Sequence, residues 1–502
     1  MRKIAGIACA VLLCACGAAS ADVSLPALIS DNMVIQQGQR VSIWGKAAPG
    51  EKVTVSLGEQ RVSAEADAAG RWRVALEPMP AGGPHEMTIA GTNSIVVKNI
   101  LVGEVWLCSG QSNIQVTVSG STGGAEAAAA ADYPEIRYFR VNSIGNDVPQ
   151  DDCKGKWVVC APQNIRSFSA VSYYFGSRLH AELRKPVGLV YSAVGATVIE
   201  AWMERSAFQD DPVYQKSIER QDQLMDAYHK YLETLAQWKK EVEEAAAAGR
   251  EAPPEPPRTG WNASAWNPGN LYNGLIAPLT AYTIHGAIWY QGESNCNYSG
   301  TYEHLLKAMI GHWRKNWGLG DFPFLIVQLP NCGKIEQQPG PSQWAQVREA
   351  QLRALALPNV GLAVSIDVGE AANLHPPRKR EIGERLALAA MKIAYGRDLV
   401  YSGPIFESAK VEGGRIRLTF KHVGGGLMTP NGEPLRHFAI AGEDRKFVWA
   451  SATIEGNEVV VWNDNVKAPV AVRYNWANAP DGNLYNREGL PASPLRTDDW
   501  QP

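Results

Sequence analysis

Between residues 23 and 98, apolar and polar positions alternate in short runs broken by Gly, Pro and Asn. RVSIWGKAAPGEKVTVSLG and GRWRVALEPMPAGG place an apolar residue at every second position, with turn residues between the runs. That period predicts an antiparallel β-sandwich rather than βαβ units. After Asn99 the runs become continuous. ILVGEVWLCSG, PVGLVYSAVGAT, TIHGAIWYQGES, FPFLIVQLP and VGLAVSID are apolar almost throughout, and most stop on a small or polar cluster. Strands covered on both faces have this composition, so a parallel sheet of five such strands is expected. AVSYYFGSRLHAELRK and REIGERLALAAMKIAYG supply helices between them. Beyond residue 399 the alternation returns in GGRIRLTFKHV, NEVVVWND and APVAVRYNWAN, which predicts a closing β domain.

The predicted α/β region carries an insertion at about residues 211–258. Asp211 offers an N-cap and Pro212 a first-turn proline. Leu224, Tyr228, Leu232, Leu235, Trp238 and Val242 recur at steps of three and four, giving one apolar stripe before a Pro-rich return. A surface helix packed on the main body is the expectation, with a lid as the alternative.

The 502 residues suit two to four domains, and 45% apolar with 20% charged residues belongs to a globular chain. A net charge of -3 without any basic tract gives no case for nucleic acid. At the amino terminus, Arg2 and Lys3 precede an apolar stretch at residues 4–14, and Ala19-Ser20-Ala21 forms a cleavage site before Asp22. Residues 1–21 therefore read as a signal peptide, and the mature protein is expected in the periplasm or outside the cell. Leu13-Cys14-Ala15-Cys16 loosely matches a lipobox, which would make it an outer-membrane lipoprotein anchored at Cys16; Cys14 is unusual there, so release after Ala21 is preferred. No later segment approaches ~18 uninterrupted apolar residues, so no membrane span is expected. The mature chain keeps Cys108, Cys153, Cys160, Cys296 and Cys332, an odd number that leaves at least one thiol free. Cys153 and Cys160 flank KGKWVV and are candidates for a disulfide-closed hairpin, with Cys296–Cys332 a weaker pairing. Their spacing does not suit structural zinc, and neither metal nor cofactor is expected.

Open α/β sheets bind ligands at the carboxyl ends of their strands. Four strand ends carry more chemistry than a turn requires: Gly110-Gln111-Ser112-Asn113, Gly195-Ala196-Thr197, Gln291-Gly292-Glu293-Ser294-Asn295, and Asp367 followed by Asn373-Leu374-His375-Pro376. Acyl transfer explains these types. A serine needs an adjacent base to become a nucleophile. The tetrahedral intermediate needs donors aimed at its oxyanion, each worth roughly 3 kcal/mol. Ser112 alone would read as a turn serine capping a helix; together with the other clusters it reads as the nucleophile. Among the nine histidines, His375 is the one placed in a loop between the last core strand and a helix. Trp106, Trp202 and Trp289 read as core fillers rather than sugar platforms.

GQSN, SAVGATVIEAW, LYNGLIAPL, IWYQGESN and LHPPRKREIGERLA resemble, in this order, the blocks of the sialate O-acetylesterase family, which belongs to the SGNH (GDSL-like) hydrolases. The resemblance covers nearly the whole mature chain. It implies a flavodoxin-like three-layer α/β/α domain at residues 99–398, flanked by β-sandwich domains at 22–98 and 399–502. It further implies metal-free hydrolysis of O-acetyl esters on carbohydrates, with Ser112 as nucleophile and His375 as general base and then acid. Ser112, Gly195 and Gln291 match the oxyanion positions. Ala196 replaces the second glycine of the usual Gly-Gly-Thr, and Ile114 stands where Met is common. The orienting acid departs from the pattern, because its usual places are Ala372 and Asn373. Glu293 is the preferred substitute, with Asp367 and Glu370 as alternatives; a serine–histidine dyad is also adequate. An acetyl xylan or xyloglucan esterase is the alternative substrate reading, and basic residues at Arg378 and Lys379 would favour an anionic sugar. A glycosidase would need two carboxylates ~5–9 Å apart. A non-catalytic carbohydrate-binding protein would need no such cluster.

Overall fold

The computed structural model describes residues 22–259 and 266–500, so the predicted leader and Cys16 lie outside the described residues. The organising element is one strand of 17 residues, Ser94–Gly110. Its first half pairs antiparallel with Gly82–Ala90 in the amino-terminal β-structure, and its second half is the middle of the central sheet. Burial changes along it from alternating to continuous at the point where it passes from a sheet with a solvated face to one covered on both. The boundary expected at residues 98/99 thus falls within a single unbroken strand, and the apolar core runs on from the β-structure into the α/β body.

The central sheet has seven strands in the order Val360–Ala363, Phe324–Val327, Gly286–Tyr290, Ser94–Gly110, Val187–Ala193, Tyr133–Arg140 and Trp157–Cys160. Neighbours are parallel except the last pair, which is antiparallel. All five strands expected from continuous apolar runs are present. The two additional ones lie at an edge, where YPEIRYFR mixes polar with apolar positions. Trp157–Cys160 joins that edge with Cys160 opposite Tyr133, rather than folding back on Cys153. The disulfide-closed hairpin is therefore a correction: Cys153 and Cys160 are free thiols, as are Cys296 and Cys332. Burial pushes the Cys153 and Cys160 thiols up to about 12.

Helices cover both faces, giving three layers. Ala170–Leu183 and Arg380–Ile393 pack together on one face, in contact so close that a β-carbon at Gly383 would stand 2.7 Å from that of Tyr174. Gly176 likewise admits Leu189 of the adjacent strand. On the other face Ser299–Trp317 carries Trp313, whose ring centroid lies 5.6 Å from that of Trp289, and Trp289 in turn meets Trp202 edge-on at 5.8 Å. Trp106, Trp202 and Trp289 are fully buried, as core fillers are.

The insertion forms a 36-residue helix, Pro212–Ala247, capped by the Asp211 carboxylate, which accepts from the backbone N–H of Val213 and Tyr214. Its first turns are buried through Tyr214, Ser217, Ile218 and Gln221, and farther along only Tyr231 and Ala245 are buried among its described residues. The predicted stripe farther along is partly covered by the Pro-rich return, where the Trp238 indole donates to the Pro253 carbonyl.

Residues 405–496 form a separate core around Ile416, Leu418, Val459, Val461 and Tyr474. Arg348 fastens this unit to the α/β body. Fully buried, it donates to the carbonyls of Leu329 and Pro330 at 2.8 and 2.7 Å and to those of Ala477 and Asn478 at 2.7 and 3.0 Å. A planar fork with five N–H groups meets four carbonyls at once, and a lysine has neither the donors nor the geometry. Arg348→Ala is expected to cost about 3 kcal/mol by leaving these carbonyls unpaired. Arg348→Lys should recover only part of that loss in thermal melts, and hydrogen exchange should rise first around residues 471–478.

Candidate active site

The four predicted clusters meet above the carboxyl ends of the parallel strands. Gly110 ends the central strand at φ +142°, and a β-carbon there would lie 2.1 Å from the Tyr290 carbonyl oxygen, so glycine is required. The chain then turns into a four-residue helix, Ser112–Gln115, with Ser112 half-buried at its first position. Gln111 locks this turn to the neighbouring loop. Its Oε1 accepts from the backbone N–H groups of Gly292 and Ser294 at 3.3 and 3.4 Å.

Gly195 stands directly against the serine: a β-carbon on it would lie 3.2 Å from the Ser112 β-carbon. Among the described residues, neither the Ser112 nor the Gly195 backbone N–H is donated within the protein. The next residue, Ala196, has φ +57°, the left-handed conformation that the family pattern meets with glycine. Its carbonyl accepts from the Trp266 indole at 2.8 Å. The third expected oxyanion donor, Gln291, is engaged within the protein. The Gln291 amide is fully buried and donates to the Thr197 carbonyl at 3.0 Å and to Asn295 Oδ1 at 2.7 Å, while its Oε1 accepts from Tyr302. Gln291 braces the loop under the site and has no free hydrogen for an oxyanion.

Asn113 ties the loop of His375 to that of the serine. The Asn113 amide nitrogen donates 3.0 Å to the carbonyl of Leu374, so the residue after Ser112 is tied to the residue before His375. The imidazole is exposed, and among the described residues neither Ser112 nor a carboxylate hydrogen-bonds it. None of the three candidate acids hydrogen-bonds the imidazole, and each has a partner of its own. Glu293 Oε1 accepts from the Asn113 amide at 2.6 Å. Asp367 forms a two-point ion pair with Arg385 at 2.6 and 2.7 Å. Glu370 accepts from the Asn373 amide at 3.0 Å. Asn373 orients the main chain instead of the ring, accepting the His375 backbone N–H at 2.9 Å.

One residue of consequence was not legible as such. Lys379, which reads as a basic residue at a helix start, is fully buried; its ammonium group donates to Asn113 Oδ1 at 2.5 Å. Asn113 thus sits between a buried amine and a buried carboxylate. Burial pushes Lys379 down to about 7, against the opposing pull of Glu293. Burial raises Glu293 despite its bond from Asn113, and Glu293 Oε2 has no partner among the described residues. Both shifts lean toward the neutral forms. His375, exposed but partly desolvated by its surroundings, is lowered from the ordinary histidine value by that desolvation first and by the nearby Lys379 charge second. It is therefore a free base at neutral pH.

A second group walls the site. Trp266 and Tyr298 meet edge-on with centroids 6.4 Å apart, and the Arg220 guanidinium from the insertion helix lies 3.7 Å over Tyr298. Arg220 and Ser217 bond the fully buried Glu200, and Asn295 donates to the same carboxylate. Glu200 lies in the SAVGATVIEAW block, but sequence alone gives no sign that an inserted helix would close on it.

Residues 258–392 match the family described as "Carbohydrate esterase, sialic acid-specific acetylesterase". Mouse sialate O-acetylesterase is 30% identical over 499 residues, spanning 90% of this chain and 89% of the mouse protein. The chain belongs to the sialate O-acetylesterase family. Human sialate O-acetylesterase is 29% identical over 435 residues, covering 78% of this chain and 75% of the human protein. The fold resembles the crystal structure of a carbohydrate acetylesterase from Xanthomonas citri. That similarity has a TM-score of 0.82 with 36% identity, over 95% of this chain and 100% of that one. The protein is accordingly a carboxylic ester hydrolase with the three-layer architecture of its family.

The Lys379 charge disfavours the imidazolium, so the acid limb of kcat/KM should lie below the ordinary histidine value of ~6.5. Lys379→Met removes that charge and should move the limb upward, with a stability loss of about 1–2 kcal/mol from the unpaired Asn113 oxygen. A pH–rate profile that stays in place or moves down would show that the two groups are not coupled.

Proposed function

We infer that this protein removes O-acetyl groups from sugars with Ser112 as nucleophile and His375 as its base. The observation that carries the reading is the pair of undonated N–H groups, on Ser112 and Gly195, beside a hydroxyl whose loop is tied to that of His375. Ser112 Oγ attacks the acetyl carbonyl carbon while His375 takes its proton. The oxyanion forms against the two N–H groups. The intermediate collapses as the sugar oxygen leaves with the proton from His375. Water, deprotonated by the same imidazole, then attacks the acetyl-serine and releases acetate. The hydroxyl and imidazole are not hydrogen-bonded to each other, and such catalytic contacts commonly tighten on substrate binding. No carboxylate need bond the ring, since the third member of a triad orients rather than reacts. Here orientation comes from Asn113 on Leu374 and Asn373 on the His375 main chain.

A specific observation favours uncharged sugars, as in acetylated xylan or xyloglucan, over sialate. Lys379 is buried on Asn113, Arg378 pairs with Glu381 at 2.6 Å, and Arg220 pairs with Glu200 at 2.6 Å. These cations are already satisfied, and a sugar carboxylate would have to displace a partner. The glycosidase reading loses its acid, because Glu293 is held under the site by Asn113. The amino-terminal pattern further supports export.

A fluorophosphonate should place one adduct on Ser112 and abolish activity, and Ser112→Ala and His375→Ala should each lower kcat by about 10³-fold or more. Glu293→Gln should keep the pH dependence of the wild type. Acetate release should be faster from acetylated hemicelluloses than from 9-O-acetylated sialic acid; the opposite order returns the substrate to sialate. Mass spectrometry of the mature chain should find Asp22 at its amino terminus, whereas a lipid-modified Cys16 would establish anchoring.

A further inference from the structure

A cleft of about 460 Å³ opens between the amino-terminal β-structure and the α/β body, and it shares no residue with the serine–histidine site. Its volume is within the range of small-ligand sites, roughly 300–1,000 Å³. One wall is made by Trp44, Lys46, Arg71, Trp72 and Arg73 from the paired strands Val41–Lys46 and Arg71–Leu76. The other is the loop at Gln150, Asp151 and Asp152 with the turn at residues 277–281.

These walls are fixed before any ligand arrives. Ser24 exchanges two backbone bonds with Lys46, at 2.8 and 3.0 Å. Asp152 Oδ1 accepts from the backbone N–H of Ala27 at 3.0 Å, which ties the loop to the β-structure. Trp44 is held edge-on to Tyr282, with ring centroids 6.3 Å apart. A preformed cleft loses little ordering entropy on binding.

The lining chemistry selects a ligand class. Trp44 is half-buried, and its indole N–H has no acceptor among the described residues. The deeper Trp72 N–H is also without one. Lys46, Arg71 and Arg73 face Asp67, Asp151 and Asp152, so the charges balance and neither an anion nor a cation is favoured. Arg71 pairs with Asp67 at 3.2 Å and Asp152 Oδ1 accepts from backbone N–H groups, while Lys46, Asp151 and Arg73 keep hydrogen-bonding capacity. Lys46 and Asp151 approach only to 4.0 Å, both mostly exposed, and Arg73 has no ion-pair partner among the described residues. An aromatic surface flanked by exposed carboxylates, guanidinium groups and an amide matches a neutral, hydroxyl-rich ligand, whose hydroxyls donate to the acids and accept from the bases.

We propose that this cleft is a second glycan-binding site, which holds a neutral stretch of a polysaccharide while acetyl groups elsewhere on it are removed at Ser112. The proposal rests on the carbohydrate reading above. Two sites on one chain raise apparent affinity for a polymer and leave small substrates unaffected.

The test compares wild type, Trp44→Ala and the exposed-residue variant Arg73→Ala. Each is run through native gels containing deacetylated xylan, deacetylated xyloglucan or polygalacturonate, and assayed on p-nitrophenyl acetate and acetylated xylan. Wild type should be retarded by a neutral glycan and not by polygalacturonate. Both variants should lose most of that retardation and show a KM on acetylated xylan raised about 5- to 10-fold, with p-nitrophenyl acetate turnover unchanged; tenfold corresponds to about 1.4 kcal/mol. Arg73→Ala carries the test if Trp44→Ala does not fold. Retardation equal to wild type in both variants, no retardation of wild type by either neutral glycan, or preferential retardation by polygalacturonate would each overturn the proposal. Retardation without acetate release from any glycan would instead retain the cleft and remove the esterase reading.

Discussion

The amide of Asn113 is the constraint on which the site depends. One side-chain group bonds the Leu374 carbonyl, the Glu293 carboxylate and the Lys379 ammonium group. It follows the serine directly in sequence and fixes the loop of the histidine, although 261 residues separate Asn113 from Leu374. Hydrogen bonds between charged and neutral partners inside a dry region are stronger than their counterparts in water. The arrangement therefore couples the turn at the end of one strand to the loop beyond the last one. Burial pushes both Glu293 and Lys379 toward their uncharged forms, which eases the cost of holding them in the interior.

Around this centre the strand ends have divided roles. The Ser112 and Gly195 main-chain N–H groups are left undonated among the described residues, while Gln111 and Gln291 brace the loops against each other. The insertion helix contributes from outside the parent fold, since Arg220 and Ser217 close on Glu200 and set Tyr298 beside Trp266. The Pro212–Ala247 helix is thus a buttress at its first turns and a projection over the rest of its length.

Much of this was legible in the chain because doubly covered strands leave continuous apolar runs. Those five runs located the sheet and, through their ends, the serine, glycine and histidine clusters. Tyr133–Arg140 escaped because it mixes polar with apolar residues beside an antiparallel edge strand. The change of period near residue 98 was real, but it marked a change in what covers the strand, not a break in it. Side-chain roles were less readable. Residue type says that Gln291 has hydrogens to give and Glu293 a charge to share, but not which way either points. Lys379 looked solvated because a helix start usually is; its burial depends on Asn113 and Tyr290, far away along the chain.

The unbroken span Ser94–Gly110 has an architectural consequence. The leading β-structure and the α/β body share one unbroken strand, which lies between Val34–Gln36 and Gly82–Ala90 in the first and is the spine of the second. Severing the chain there would remove the sheet's middle along with the appendage, so the β-structure is no detachable module. The two portions are bound to melt as one cooperative block.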